Sequence, residues 1–479
     1  MLRRVQRLSI VGCLIILLLG AGGVVAFPAP NSTSTYDWRT FDWSAYRTGV
    51  YPYLTRITGG NVNKLVLRKV QLDGTVDASV LYRHNARVLN ANHDAFFLTT
   101  TYGRTEAVDA NTGKVLWRFT PSGYSSWAGS AQITTATPAI GSSRGYVYAA
   151  APNGYVYKLF TNTGKVVWRV AVTKLPRREK IASALNWYGG RLIVTTGGYF
   201  GDAPPYQGHV VVIDTATGHI VHVWNSLCSN RSGLLDPHSC PASDSGIWGR
   251  SGAVVDGATG ELLVATGNGP WDGVTSWGDA VIRLTSDASG MRGNYTPANT
   301  AGLNSSDSDL GSTSPVVLDA NHVAQGGKDG KIRVLGVSQM VGVVPHKGGE
   351  LQVVPTPGGA ALFSAPAIWH QTSALAWLFV ADGAGTDAWR WSGGKLTKAW
   401  GNGTAGTSPL LAGGLLWIYD PGGGLNVYQP TTGKLVATLP CGGGHWNSPI
   451  AIDGRVALPE GNANDHSTRG VLDIWSLKK

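Results

Sequence analysis

The sequence predicts an all-β chain, an eight-bladed β-propeller whose N-terminal strand closes the last blade, preceded by a signal or anchor segment. Three observations predict it. A polar turn followed by an apolar strand recurs along the chain; a small residue, often Pro, leads into an apolar strand eight times; and the composition is rich in Gly but poor in charge. Of 479 residues, 65 are Gly and 14% are charged. Gly reaches positive φ without steric cost, so this balance suits short strands joined by tight turns rather than a helical bundle or a disordered chain. The 18 Trp supply large side chains for a core.

The turn-and-strand motif reads VDANTGKVLW at 108–117, FTNTGKVVW at 160–168, IDTATGHIVHVW at 213–224 and YQPTTGKLVATL at 428–439. Its Thr-Gly step makes a tight turn, and the alternating residues after it form a half-buried strand. A Trp at the strand's end can wedge between neighbouring sheets. The second motif appears as ASVLY at 78–82, TPAI at 137–140, SALNW at 183–187 and GAVVD at 252–256. It continues as SPVVLD at 314–319, APAIW at 365–369, SPLLA at 408–412 and SPIAID at 448–453. The spacing of roughly 40 to 70 residues is that of four-stranded blades. Pro is tolerated because the innermost strand of a blade is an edge facing the central channel.

The two ends complete the ring. VLDIWSL at 471–477 reads as the third strand of the last blade, and KLVLRKV at 64–70 as its missing outer strand, leaving no long unpaired edge. Residues 61–479 are then the propeller, and residues 27–60, including DWRTFDWSAYRTG, a lead-in packed across it.

Residues 1–26 read as a signal peptide or a membrane anchor. Arg3, Arg4 and Arg7 precede an uncharged stretch from Leu8 to Phe27, and Val24-Val25-Ala26 offers a cleavage site. The stretch is also near the minimum that spans a bilayer, which leaves an uncleaved anchor open. Either way the chain is expected to be exported, periplasmic or extracellular, touching a membrane only through this segment. Cys228 and Cys240 bracket a polar loop, and an oxidising compartment permits a disulfide there. Cys441 is left over as a small buried residue. No CxxC pair points to zinc, and no CxxCH would attach a c-type haem. The absence of HExxH and of Gly-x-Ser-x-Gly argues against a zinc peptidase or a serine hydrolase. The net charge of +10 includes three signal arginines, and the densest later cluster, Lys174, Arg177, Arg178 and Lys180, reads as a solvated loop. With no nucleic-acid motif, no nucleic-acid partner is expected.

The turn-strand-Trp motif resembles the docking repeat of pyrroloquinoline-quinone (PQQ) type propellers, the quinoprotein alcohol dehydrogenases and their relatives, with the polyvinyl-alcohol dehydrogenase branch nearest. The segment SGIWGRSGAVVDGATGELLVATGNGPWDG at 245–273 is similar to one in which a Trp floors the quinone and the Asn of a Gly-Asn step ligates calcium. The resemblance implies Trp248 and Asn268 in these roles. LNSSDSDLGSTSPVV at 303–317 resembles the stretch holding the family's catalytic aspartate, which implies Asp307 or Asp309, with Asp309 also a metal ligand. QGGKDGKIRVLG at 325–336 resembles the loop whose basic residue meets the quinone oxygens, which implies Lys328. The implied cofactors are PQQ with calcium or a lanthanide, and the implied partner is a separate electron acceptor. The chain departs from the family in two places. The stretch 193–212 lacks the family's glutamate ligand, leaving only Asp202, and no adjacent cysteine pair caps the quinone.

Each of these residues also has a plain structural role. Trp248 can be another blade-packing tryptophan, and Asn268, between two glycines, a turn residue. Asp307 and Asp309 lie in a Ser-rich loop where solvated carboxylates are usual, and Lys328-Asp329-Gly330 reads as a hairpin turn. Two functions stay open: a non-catalytic envelope scaffold that binds a protein or polymer, and a PQQ- and metal-dependent alcohol dehydrogenase. The missing glutamate, cysteine pair and haem motif weigh toward the first. The second requires Trp248, Asn268 and the aspartates to converge on the channel with open space above the indole.

Overall fold

A computed structural model describes residues 37–478; the segment expected to be a signal or anchor, 1–26, and the start of the lead-in, 27–36, lie outside the described residues. Eight antiparallel sheets follow one another around a ring, seven of four strands and one whose four strands gain a short parallel fifth, Val50–Tyr51 from the lead-in. Each of the eight small-residue motifs runs into the first strand of one sheet, from Leu81–Val88 in blade 1 to Ile450–Ile452 in blade 8. The second strands are mostly buried, as in Ala376–Ala381 of blade 6, and the outer strands are partly exposed, as in Lys395–Asn402. Among the described residues no helix is long and apolar enough to cross a membrane.

The turn motif has a double task. Asp109 Oδ1 accepts hydrogen bonds from the Asn111 and Thr112 amides and the Thr112 hydroxyl, and Asp214 repeats the pattern with Ala216 and Thr217. These Asx turns hold the hairpin shut. The outer-strand Trp then docks on the next blade's turn. Trp117 Nε1 donates to Thr161 O at 2.9 Å, and Trp400 Nε1 to Pro430 O at 2.8 Å. The turn glycines beneath, Gly164 and Gly433, sit at φ 68° and 69°, where a Cβ would run into the indole. Glycine is needed there for backbone and for contact alike.

Strand Val66–Leu72 pairs along its whole length with Gly470–Ser476, from Val66 opposite Ser476 to Leu72 opposite Gly470. The last blade is therefore built from both chain ends, and the ring is closed. Lys69 on the closing strand reaches Glu460 at 2.8 Å and Asp473 at 3.4 Å.

Residues 37–60 cross one end of the channel. Trp38 exchanges two backbone hydrogen bonds with Tyr82, and the carbonyls of Arg39, Ala45, Thr48, Gly49 and Thr55 accept from Ile140, Val255, Ile368, Leu411 and Gly454. The inner strands of five blades, and the hairpin turn at Gly454 in the sixth, thus find partners for amides that would otherwise be unpaired. Arg47 pins the crossing at its centre, donating to the carbonyls of Phe41, Leu185 and Ser251 and to the Thr40 hydroxyl. It is buried beside Asp42, also buried.

Cys228 and Cys240 are joined by a disulfide, with Cα atoms 6.2 Å apart. Cys441 is half-buried rather than buried, and burial raises its thiol to about 12.

Candidate functional site

At the other end of the channel lies a cavity of about 450 Å³, a volume suited to a small-molecule ligand. Its lining comes largely from one kind of connection, the crossing from the outer strand of one blade to the inner strand of the next. Asp77 and Thr135 precede the inner strands of blades 1 and 2, Lys180 that of blade 3 and Trp248 that of blade 4. Asp307 and Asp309 precede that of blade 5, Phe363 that of blade 6, and His445 with Trp446 that of blade 8.

Three rings form an aromatic wall. Trp248 lies 6.0 Å from Trp446 at an interplanar angle of 24°, and 6.0 Å from Phe363 at 35°. Phe363 and Trp446 are 6.3 Å apart at 26°, and His445 stacks on Trp446 at 4.2 Å. Near-parallel rings bordering an open space offer a flat conjugated ligand a stacking surface.

Beside Trp248 sits a charged group of three. The Lys328 ammonium bonds Asp307 at 2.9 Å, contacts Asp309 Oδ2, and lies 5.5 Å from the Trp248 ring centre. Asp309 Oδ1 accepts the Asn268 backbone N–H at 2.7 Å. Gly267 makes this possible, because a Cβ there would overlap Asp309 Oδ1 and press on Trp248 Nε1. Burial raises the Asp309 carboxyl above its ordinary range, although Lys328 pulls the other way. For Lys328 burial is outweighed by Asp309 and Asp307, and its ammonium is held more firmly than usual. Contrary to the sequence expectation, Asp309 is buried; Asp307 is exposed.

The structure therefore gathers Trp248, Asp307, Asp309 and Lys328 at one cavity, with Asn268 adjoining through its backbone. Lys328 is at once a turn residue, before Gly330 at φ 71°, and part of the cavity wall. Asp202 also borders the cavity, accepting from the Tyr206 hydroxyl at 2.9 Å. A glutamate does lie close by in sequence, but Glu179 is buried against His209 Nε2 and the Gln207 amide, each at 3.1 Å.

On the opposite side sequence reasoning placed the His445-Trp446 pair in a blade loop near the rim or channel, where it lines the cavity, but missed Lys180 and Asp77. Lys174, Arg177 and Arg178 are exposed, but Lys180, assigned to the same solvated cluster, is buried in the cavity wall. The strand Glu179–Lys180 pairs with Gly197–Gly198, and this long-range pairing turns a surface-looking cluster inward at its last residue. Asp77 is fully buried, bonded to His445 Nδ1 and the Trp446 amide, each at 2.7 Å. Burial pushes its carboxyl up, but His445 outweighs this and holds it below the ordinary range.

A flat quinone fits the ring wall and its flanking ammonium groups. A divalent cation fits less well, because it needs six or more oxygens. Both Asp309 oxygens and one of Asp307 are already engaged by Lys328 and the Asn268 amide. Among the described residues the one cluster of three ligand groups at metal spacing is His84, Asp94 and Asp453, remote from the cavity, where Arg455 already pairs with both carboxylates.

Comparison with known proteins agrees with this fold. Residues 101–281 match the family profile described as outer membrane protein assembly factor BamB, a PQQ-repeat family. The chain is 25% identical over 214 residues to a polyvinylalcohol dehydrogenase of Sphingopyxis sp.. It is 24% identical over 313 residues to the dehydrogenase subunit of the quinone alcohol dehydrogenase of Gluconobacter oxydans. The PQQ-type repeat is thus matched over residues 101–281. These matches cover 42% and 56% of this chain, and only 31% and 39% of the relatives' own lengths. In fold, the quinohemoprotein alcohol dehydrogenase of Comamonas testosteroni is similar with a TM-score of 0.68 at 17% identity, covering 92% of this chain and 80% of that one. A europium-containing methanol dehydrogenase follows with a TM-score of 0.65 at 16% identity, covering 93% and 99%.

Proposed function

We propose that this PQQ-type propeller is an alcohol-oxidising quinoprotein of the cell envelope, binding a flat quinone of the PQQ class in the channel cavity. The convergence of Trp248, Lys328, Asp307 and Asp309 beside an open space supports this reading above all. The names of the matched relatives supply the substrate class, and the disulfide suits an oxidising compartment.

When bound, the quinone supplies the two-electron acceptor. The protein's own groups do the rest. Trp248 would stack on the ring, and Lys328 would offer its ammonium to the quinone oxygens. Asp309 is the better placed base: burial raises its proton affinity toward the working pH, while the Asn268 amide fixes its orientation. Asp307, exposed at the mouth, steers the Lys328 ammonium. No step is assigned to a metal, because the donors present do not assemble a cage.

Titration of the purified protein with PQQ, with and without calcium or lanthanum, tests the proposal through tryptophan quenching, followed by dye-linked oxidation of simple and polymeric alcohols. We expect saturable binding weakened at least about tenfold in Trp248→Ala, equivalent to ~1.4 kcal/mol. Alcohol oxidation should fall about a hundredfold or more in Asp309→Asn. A flat titration at about 50 µM quinone, ~6 kcal/mol of binding, would overturn the reading. It would leave the scaffold function, which the engagement of the cavity carboxylates by Lys328 also favours.

A further inference from the structure

Lys180 is the one buried cation of the cavity that no acceptor satisfies. Its side chain is 8% exposed and borders the cavity. Its ammonium makes no hydrogen bond or ion pair with any described residue; its nearest attractions are the Trp446 ring, 5.9 Å away, and the field of Asp77. Asp77 is itself engaged by His445, Trp446 and the Ala463 amide. A buried charge without a partner is costly, so such a group ordinarily marks where an opposite charge belongs.

The surroundings strengthen the case. Arg250 is buried beneath the aromatic wall, its guanidinium 5.6 Å from the Trp446 ring centre and 5.9 Å from that of Phe41, with Nε lacking a partner. Along the channel axis Arg47, Arg250 and Lys180 oppose Asp42 and Asp77, three cations against two carboxylates. Burial drives Asp42 toward its neutral form, leaving the balance more positive. At the Trp248 side, two carboxylates surround the single Lys328 ammonium. The cavity is thus polarised, positive at Lys180 and negative at Asp307 and Asp309.

We propose that Lys180 is an anion subsite that takes a carboxylate carried on a flat aromatic ring, so that the ligand enters with its acid group at Lys180 and its other edge toward Asp309. The assignment deepens the quinone reading, and its ligand chemistry extends to aromatic carboxylates that are not quinones. Lys180 is a binding and positioning residue with no part in proton transfer.

The test uses two pairs of probes on the full-length protein, PQQ with its trimethyl ester and naphthalene-2,6-dicarboxylate with its dimethyl ester, followed by tryptophan quenching. Lys180→Met should weaken both free acids at least thirtyfold, on the order of 2 kcal/mol, and leave the esters within a few-fold of wild type. Lys180→Arg, which keeps the charge, should stay close to wild type. Equal losses for acids and esters in Lys180→Met would reduce Lys180 to packing and overturn the subsite, as would unchanged affinity for the acids or failure of every probe to bind. Lys180-dependent binding of the dicarboxylate alone would uphold the subsite while the quinone reading failed.

Discussion

Lys180 and Asp309 are both buried ionisable groups, yet only one has its partner inside the protein. Asp309 faces Lys328 and the Asn268 amide, whereas Lys180 faces the cavity. Burial, with Arg250 adding to it and Asp77 opposing, lowers the Lys180 ammonium to about 8. In the unfolded chain a lysine titrates near 10.4. Between about pH 8 and 10.4 the unfolded state therefore binds more protons than the folded state, and stability rises with pH across that window. The contribution is a destabilisation, fully present below about pH 8 and relieved above it. Urea midpoints of the ligand-free protein at pH 7.5 and 10 should show Lys180→Met gaining on the order of 2 kcal/mol relative to wild type at pH 7.5 and little at pH 10. An equal gain at both would mean that the ammonium is solvated.

The closing strand poses the same question for an element. Glu460 and Asp473 lie side by side beneath Lys69, and Asp473 is fully buried. Burial, with Glu460 adding to it, raises the Asp473 carboxyl to about 8, so it keeps its proton in the folded state at neutral pH. A carboxyl raised on folding contributes stability that is full below about pH 4 and is lost as pH rises through about 8. Thermal unfolding should therefore show wild type losing several degrees between pH 6 and 9, about 1 to 2 kcal/mol at this seam. Asp473→Asn, whose amide cannot ionise, should lose clearly less. Identical pH profiles would place the sensitive group elsewhere. Strand Val66–Leu72 buries Val70 and Leu72 in the core and sets Lys69 on Glu460, so apolar packing and charge join backbone pairing in holding this strand to Gly470–Ser476.

At the scale of the whole ring, a propeller must stop its edges from pairing with other chains, and this one does so twice. Strand Val66–Leu72 and the last strand, Gly470–Ser476, share blade 8, and the lead-in covers inner-strand amides at one end of the channel. Arg47 is the rivet of that cover, reaching four acceptors from the lead-in and from the loops before blades 3 and 4. Arg47→Met removes its charge and leaves these acceptors and the buried Asp42 without it, which should destabilise by about 3 kcal/mol. Denaturant unfolding should remain a single transition, since blade 8 still joins the ends. Two separated transitions would show that the cover, rather than the shared blade, makes the ring cooperative. The cover occupies one end of the channel, and the cavity lies at the other.

The eight blades were readable because strand alternation, Asx turns and turn glycines are local rules, repeated often enough to agree. The shared last blade followed from an unpaired strand at each end. Trp248, Lys328 and the two aspartates were implied by the resemblance of their segments to those of the quinoprotein alcohol dehydrogenases. Other features needed the folded ring. Asp309 and Lys180 both sit among polar residues that read as solvent-facing, and no local rule distinguishes them from Asp307 or Arg178. Their burial is decided by which loops meet across the channel, a contact between residues far apart in sequence. The wall of Trp248, Phe363 and Trp446 arises the same way, each ring supplied by a different blade. Sequence by itself determined the repeat, the closure and one half of the cavity. Tertiary structure decided its polarity, because a charge is buried or solvated only once all eight blades are in place.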